Sequence, residues 1–113
     1  MASKNYFLSG ITELLILTIL KQGDTYVYDI TKKIHELSNG SLSISQNTIY
    51  AATYKLELGN KISEYSKLVG RKKIRIYYHI EEAGLISLEQ LSKTYYDTTS
   101  SVNNILDILN QDT

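Results

Sequence analysis

The hydrophobic period of this sequence changes twice, and these changes restrict the fold more than any other feature. Before Gly59 the apolar residues recur every three or four positions, as on the buried face of a helix. From Ile62 to Ile80 they alternate with other residues, which is typical of β-strands. From Glu82 to Leu109 the helical spacing returns. The sequence therefore predicts a mainly α-helical fold with one small β-hairpin.

The first half of the sequence predicts three short helices that are separated by turns. They run from about Ser9 to Lys21, from about Tyr26 to Leu37 and from about Gln46 to Leu58. Asp24 or Thr25 is the expected cap of the second helix and Ser45 that of the third, because short polar side chains satisfy the free N–H groups of a first turn. The expected inward-facing positions are Ile11, Leu14, Leu15, Ile16, Thr18, Ile19, Leu20, Val27, Ile30, Ile34, Leu37, Ile49, Ala52 and Leu56.

The alternating segment predicts a β-hairpin with a basic tip. Ile62 to Leu68 and Ile74 to Ile80 are the expected strands, and Val69-Gly70-Arg71 is the expected turn region. The chain has 12 basic and 12 acidic residues, but residues 55–75 contain seven basic and two acidic residues, whereas residues 76–113 contain one and six. This asymmetry indicates a surface for a polyanion, and a solvated charged face is the alternative interpretation.

The last helical segment carries a narrow apolar stripe. Its positions are three and four residues apart in alternation, which is a heptad pattern. Such a stripe packs against a second helix, in the same chain or in a second copy. The chain therefore divides into residues 1–81 and a C-terminal helix, residues 82–113. The stripe comprises Leu88, Leu91, Tyr95, Thr98, Val102, Ile105 and Leu109.

Three short helices followed by a basic hairpin predict that residues 1–81 form a winged helix-turn-helix DNA-binding domain. In this architecture the third helix enters the major groove, and the hairpin contacts the adjacent backbone or minor groove. For the third helix the alternative interpretation is a capped helix start with ordinary polar residues. For the hairpin it is an edge strand that its charges protect from aggregation. The predicted DNA-binding residues are Ser45, Gln46, Asn47, Thr48, Tyr50, Tyr54, Lys55, Arg71, Lys72, Lys73 and Arg75.

Catalysis and metal binding are not expected from this sequence. It has no cysteine, and its two histidines, His35 and His79, lie in different predicted elements, so we expect neither a metal site nor a cofactor. Glycine-rich phosphate loops and nucleophile elbows are absent from the sequence. The longest apolar run, Leu14 to Leu20, is much shorter than the roughly 20 residues of a membrane span. We therefore expect a cytoplasmic protein that is not an enzyme.

Three blocks of the sequence resemble the PadR family of bacterial transcriptional regulators. Leu14 to Ile30 is similar to the family's apolar helix, glycine turn and Gly-Tyr-acidic-Ile opening of the second helix. Ser45 to Glu57 resembles its Thr-Leu-Tyr recognition helix with an Arg-Leu-Glu ending. Gly70 to Gly84 resembles its basic wing, Tyr-Tyr pair and terminal glycine. Ala51 stands where the family usually has proline, and Val27 where it commonly has glycine.

The resemblance implies a homodimer that is joined through the C-terminal helix, binds a palindromic operator on double-stranded DNA and represses transcription. The short C-terminal region is similar to that of smaller, multidrug-sensing members, which hold planar aromatic compounds between these helices. In those members an aromatic residue stacks on the ligand, and Tyr95 and Tyr96 lie at the middle of the last helix here. Tyr95 is also on the stripe, so dimer packing and ligand stacking both stay open. The alternative function is a winged-helix protein-interaction module without specific DNA binding.

Overall fold

The computed structural model describes residues 10–111, which form four helices and one two-stranded antiparallel sheet. The order of elements is that of a winged helix-turn-helix followed by a C-terminal helix, so the predicted fold class is confirmed. The predicted start of the first helix, Ser9, lies outside the described residues. The elements are α1 (Thr12–Gln22), α2 (Val27–Leu37), α3 (Gln46–Leu58), β1 (Ile62–Val69), β2 (Lys73–Ile80) and α4 (Glu82–Leu109).

Helix α1 lies at the centre of the core, where it contacts α2, α3, α4 and β2. Ile16 and Leu17 are fully buried in it, because the helix is apolar on nearly every side. Two predicted inward-facing positions are wrong. Thr18 is exposed and donates a hydrogen bond from Oγ1 to the carbonyl oxygen of Leu14 at 2.7 Å. Leu37 is 80% exposed, because it is the last residue of α2 and lies beyond Ile34, the last buried residue of that helix.

The N-cap residue agrees with the prediction at α3 and differs from it at α2. Ser45 caps α3, and its Oγ accepts a hydrogen bond from the N–H of Thr48 at 3.2 Å. At α2 the N-cap is Tyr26, so the predicted cap at Asp24 or Thr25 is wrong. Both side chains have other partners. Thr25 donates to Asp29 Oδ2 at 2.6 Å, and Asp24 accepts hydrogen bonds from the hairpin.

The hairpin of β1 and β2, residues 62–80, is called the wing below. Its register is one to one, from the pair of Ile62 and Ile80 to the pair of Val69 and Lys73. Because side chains alternate between the two faces, Ile62, Tyr78 and Ile80 are buried against the helices. The N–H of Tyr78 also donates to the carbonyl oxygen of Thr25 at 2.7 Å. This bond attaches the segment before α2 to the edge of the wing.

The beginning of α4 closes the core, and the rest of α4 projects away from it. Leu88 is buried and Leu91 packs against the core cluster. From residue 100 to residue 111 every side chain is exposed in the single chain. At about 1.5 Å per residue α4 is roughly 42 Å long, which explains the 63 Å long axis of the molecule. Within residues 10–111, none of the helices has the length and hydropathy needed to cross a bilayer.

Candidate nucleic-acid interface

The start of α3 presents the polar side chains that the sequence identified. Ile49, Thr53 and Leu56 are buried and anchor the helix, so the opposite side of α3 faces outward. Ser45 caps the helix and its hydroxyl also contacts the hydroxyl of Thr48 at 3.0 Å. The exposed predicted residues of this segment are Ser45, Gln46, Asn47, Thr48, Tyr50, Tyr54 and Lys55.

Lys55 is the basic residue of the last turn of α3. Its Nζ is 3.3 Å from Glu13 Oε2, so the side chain reaches toward α1. The lysine side chain is 77% exposed, and an ion pair at such a surface contributes little to stability. Lys55 is therefore free to exchange this partner for another anion.

The basic residues of the wing fall into two groups. Arg71, Lys72 and Lys73 are exposed at the tip, where Gly70 adopts a positive φ of 70° in the turn. Arg75 is half-buried, and its Cζ lies 4.0 Å from the ring centroid of Tyr26. This is the geometry of a cation–π contact. The tip cations are therefore exposed to solvent, whereas the guanidinium of Arg75 contacts an aromatic ring.

Three tyrosines form a tyrosine ladder, Tyr26, Tyr77 and Tyr65, on the outer face of the wing. The rings of Tyr26 and Tyr77 meet edge to face at 5.4 Å, and those of Tyr77 and Tyr65 stack at 5.7 Å. Lys67 Nζ lies 5.0 Å from the ring centroid of Tyr77. Tyr26, Tyr65 and Lys67 were not among the residues predicted from the sequence. The available signal was the predicted pairing of the two strands in a hairpin, because this pairing places Tyr65 opposite Tyr77.

An acidic residue anchors the base of this ladder. Asp24 accepts a hydrogen bond from the hydroxyl of Tyr65 at 2.8 Å, and its other oxygen lies 2.8 Å from His79 Nδ1. Burial acts to raise the pKa of Asp24, but the hydrogen bonds from His79 and Tyr65 and the charge of His79 outweigh it and lower this pKa. The hydrogen bond to Asp24 raises the pKa of His79.

A second acidic contact joins the end of α3 to the wing. Burial raises the pKa of Glu57, and a hydrogen bond with Glu64 and the negative charge of Glu64 raise it further. Glu57 lies on α3 and Glu64 on β1, so two carboxyl groups face each other across the packed elements. This pair was not predictable from sequence spacing, because the two residues belong to different elements.

A cleft of about 510 Å³ lies where α2, α3 and β2 converge, and it is called the α2–α3–β2 cleft below. Val27, Ile74 and Ile76 form its apolar part. Among the described residues that line it, the charged side chains are the two cations Lys73 and Arg75. The polar lining comprises Tyr26, Tyr28, Gln46, Tyr50, Lys73 and Arg75.

The cleft brings together four of the predicted DNA-binding residues, two from α3 and two from β2. They are Gln46, Tyr50, Lys73 and Arg75. The other predicted residues lie outside its lining, at the first turn of α3, farther along α3 or at the wing tip. They are Ser45, Asn47, Thr48, Tyr54, Lys55, Arg71 and Lys72.

The predicted stripe of α4 divides between the core and the surface. Leu88 is 7% exposed and Leu91 half-buried in the chain's own core, so both already have partners. Val102, Ile105 and Leu109 are exposed. Between these two parts the rings of Tyr95 and Tyr96 meet edge to face at 5.4 Å. Leu106 and Ile108, which are off the stripe, are exposed as well.

Within residues 10–111, no three His, Cys, Asp or Glu side chains are grouped closely enough to hold a metal ion. The candidate interface combines hydrogen-bonding groups, aromatic rings and cations, with Asp24 at the base of the tyrosine ladder.

Comparison with known proteins relates this arrangement to DNA-binding regulators. Residues 16–90 match the transcriptional regulator PadR-like family. A transcriptional regulator from Clostridium thermocellum is 28% identical, with a TM-score of 0.81 over 87% of this chain and 95% of that chain. A PadR-like transcriptional regulator from Bacillus cereus is 28% identical, with a TM-score of 0.76 over 89% and 96%. Bacillus subtilis PadR in complex with operator DNA is 25% identical, with a TM-score of 0.65 over 71% and 46%.

Proposed function

This chain belongs to the PadR-like family of transcriptional regulators, and from this premise we propose that it binds operator DNA through α3 and the wing. Members of the family are DNA-binding transcription factors and not enzymes. The observation that carries the proposal is the α2–α3–β2 cleft, because it unites the polar start of α3 with wing cations. The similar fold of Bacillus subtilis PadR, which was solved in complex with operator DNA, supports operator DNA as the partner.

The two parts of the surface have different roles in this proposal. Gln46, Asn47 and Thr48 occupy the exposed first turn of α3, and their amide and hydroxyl groups match the donors and acceptors of base edges in the major groove. Arg71 and Lys72 at the wing tip contact phosphates, which fixes the register of the protein but carries little sequence information.

The active form in this proposal is a homodimer that pairs through the projecting part of α4. Val102, Ile105 and Leu109 are exposed in the single chain, and pairing removes their apolar surface from water. A projecting helix without tertiary contacts is also marginally stable in water, so a partner stabilises it. A two-fold dimer places two copies of α3 on a palindromic operator, with half-sites about one helical turn apart.

The bound dimer represses transcription by occupying the promoter region. A small planar aromatic molecule that binds between the projecting helices would release it, and Tyr95 and Tyr96 are the residues that would stack on it. Their rings already contact each other at 5.4 Å on the exposed part of α4. Quenching of tyrosine fluorescence by a panel of planar cationic compounds tests this step, and no quenching across the panel argues against it.

The proposal is tested by binding of the purified protein to a labelled fragment of its own upstream promoter region. An unrelated fragment serves as competitor, and the measurement is made at two salt concentrations. We expect selective retention with two protomers per site that weakens at the higher salt concentration. Equal binding of both fragments, or no binding, would favour the protein-interaction module instead.

A further inference from the structure

Arg75 is the one predicted DNA-binding residue that carries a positive charge and is half-buried in the described structure. Its guanidinium lies over the ring of Tyr26, with Cζ 4.0 Å from the ring centroid, at the wall of the α2–α3–β2 cleft. An arginine that is already stacked loses less side-chain freedom when it binds an anion than an arginine that is free in solvent.

Tyr26 is itself held in place by the wing. Its ring meets Tyr77 edge to face at 5.4 Å, and Tyr77 stacks on Tyr65. On the preceding residue, the carbonyl oxygen of Thr25 accepts a hydrogen bond from the N–H of Tyr78 at 2.7 Å. The position of the ring that carries the Arg75 guanidinium is therefore fixed relative to β2.

The edge of β2 adds hydrogen-bond donors to the same cleft. Because the N–H of Tyr78 points away from β1 to Thr25, the pair of Glu64 and Tyr78 is a non-hydrogen-bonded pair of the antiparallel ladder. The one-to-one register repeats this geometry every two residues, so the N–H groups of Ile76 and Ile74 also point away from β1. Both residues line the cleft.

We propose that the α2–α3–β2 cleft binds one phosphodiester of the DNA backbone, and that Tyr26 is the positioning residue that holds the Arg75 guanidinium toward it. The inference rests on the proposed DNA-binding function and deepens it. A guanidinium and backbone N–H groups are strong partners of a phosphate oxygen, and both charged side chains of the lining, Lys73 and Arg75, are cations.

The experiment is a double-mutant cycle on operator affinity, measured over a series of salt concentrations. We expect Arg75→Ala to lower affinity and to reduce the magnitude of the salt slope by about 1.8, which is the loss of one phosphate contact in each protomer of the dimer. Tyr26→Leu should lower affinity about 3- to 10-fold, since it removes the ring that orients the guanidinium. Tyr26→Phe keeps the ring and should stay within about twofold of the wild type.

The cycle separates positioning from a general effect on the fold. In the Arg75→Ala background, Tyr26→Leu should have no further effect on affinity, because the group that it positions is absent. As a matched control, Lys72→Ala at the wing tip should lower affinity by the same factor with Tyr26 or Leu at position 26. An equal effect of Tyr26→Leu in both Arg75 backgrounds, or an unchanged salt slope in Arg75→Ala, would overturn the proposal.

A second measurement needs no DNA. The Nε–H signal of Arg75, identified by its absence in Arg75→Ala, should show an upfield ring-current shift that Tyr26→Phe keeps and Tyr26→Leu removes. An unshifted signal in the wild type would reject the positioning role. Should the wild type bind no DNA, the proposed function and the phosphodiester site both fail. Selective wild-type binding with an unchanged slope in Arg75→Ala rejects the site alone.

Discussion

The contact between Asp24 and His79 predicts how stability depends on pH at the scale of single residues. The pKa of His79 is raised above its ordinary value of 6.5 by the hydrogen bond to Asp24. Stabilisation from this shift is therefore complete below pH 6.5 and is lost as pH rises through the higher pKa of the folded state. The pKa of Asp24 is lowered from 3.8, so its contribution is lost as pH falls through that lower value.

Asp24→Asn should consequently lower the Tm most at about pH 5 and least above about pH 8. In the same variant an NMR titration should give a lower pKa for His79 than in the wild type, because the carboxylate partner is gone. A His79 titration that is identical in both proteins would contradict the ion pair.

The pKa of Glu57 is shifted in the opposite direction to that of Asp24. Its pKa is raised by burial and by Glu64, so the ionised form is unfavourable in the folded state, and stability falls as pH rises through this pKa. Glu57→Gln should therefore raise the Tm by a few degrees at about pH 8 and change it little at about pH 4, measured by thermal unfolding. Glu36→Gln, at an exposed position of α2, is a control and should leave the Tm unchanged at both pH values. A lower Tm in Glu57→Gln at about pH 8 would contradict this assignment.

At the scale of single residues, a role is predictable from the sequence when it depends on neighbouring residues of the chain. The predicted cap at Ser45 is confirmed, and it was predictable because its partner, the N–H of Thr48, lies only three residues along the chain. Asp24 was expected as a cap of α2, but its carboxylate binds His79 and Tyr65, which lie far along the chain. A side chain with both local and distant partners available cannot be assigned from spacing alone.

At the scale of elements, the junction between the wing and α4 depends on one glycine. A Cβ on Gly84 would collide with the carbonyl oxygen of Lys61 and would approach Ile80 Cγ1 to 2.8 Å. The Lys61 carbonyl is fixed because it accepts a hydrogen bond from the N–H of Glu81 at 2.9 Å. We therefore expect Gly84→Ala to destabilise the protein by about 1–3 kcal/mol, measured by chemical denaturation.

Ala83→Gly is the matched control in the same turn of α4. It should cost at most about 1 kcal/mol, because it changes only helix propensity at an exposed position. Equal stability of Gly84→Ala and the wild type would mean that α4 can shift away from Lys61 without loss of packing.

The elements themselves were predictable because each has its own hydrophobic period and is bounded by a turn. The α2–α3–β2 cleft was not, although four of its residues were identified from the sequence as DNA-binding. Its shape depends on the bond between Tyr78 and Thr25, which attaches β2 to the start of α2. Bonds between segments that are distant in sequence leave no periodic signal.

At the scale of the whole molecule, the projecting part of α4 predicts a dimer. Ile105→Lys places a charge in the middle of the exposed stripe and should yield monomers in light scattering, with operator affinity lowered at least about 10-fold. Asn104→Lys, which lies off the stripe and about 100° around α4 from Ile105, should remain dimeric. A dimeric Ile105→Lys variant would place the interface elsewhere.

The stripe also shows the limit of a heptad pattern. Its spacing is continuous from Leu88 to Leu109, yet Leu88 is buried in the chain's own core and Leu109 is 75% exposed. Periodicity identifies the face of a helix that packs, but the partner depends on where the rest of the chain lies. The first part of the stripe meets α1, and the projecting part lies beyond the domain.

The most direct test of the DNA-binding account compares two variants, Asn47→Ala on α3 and Lys72→Ala on the wing, on operator and non-operator DNA over a salt series. Asn47→Ala should lower the ratio of operator to non-operator affinity about 5- to 100-fold and leave the salt slope unchanged. Lys72→Ala should keep the ratio, weaken both affinities and reduce the magnitude of the salt slope by about 1.8, one phosphate contact for each protomer of the dimer. Wild-type ratio and slope in both variants would contradict the account.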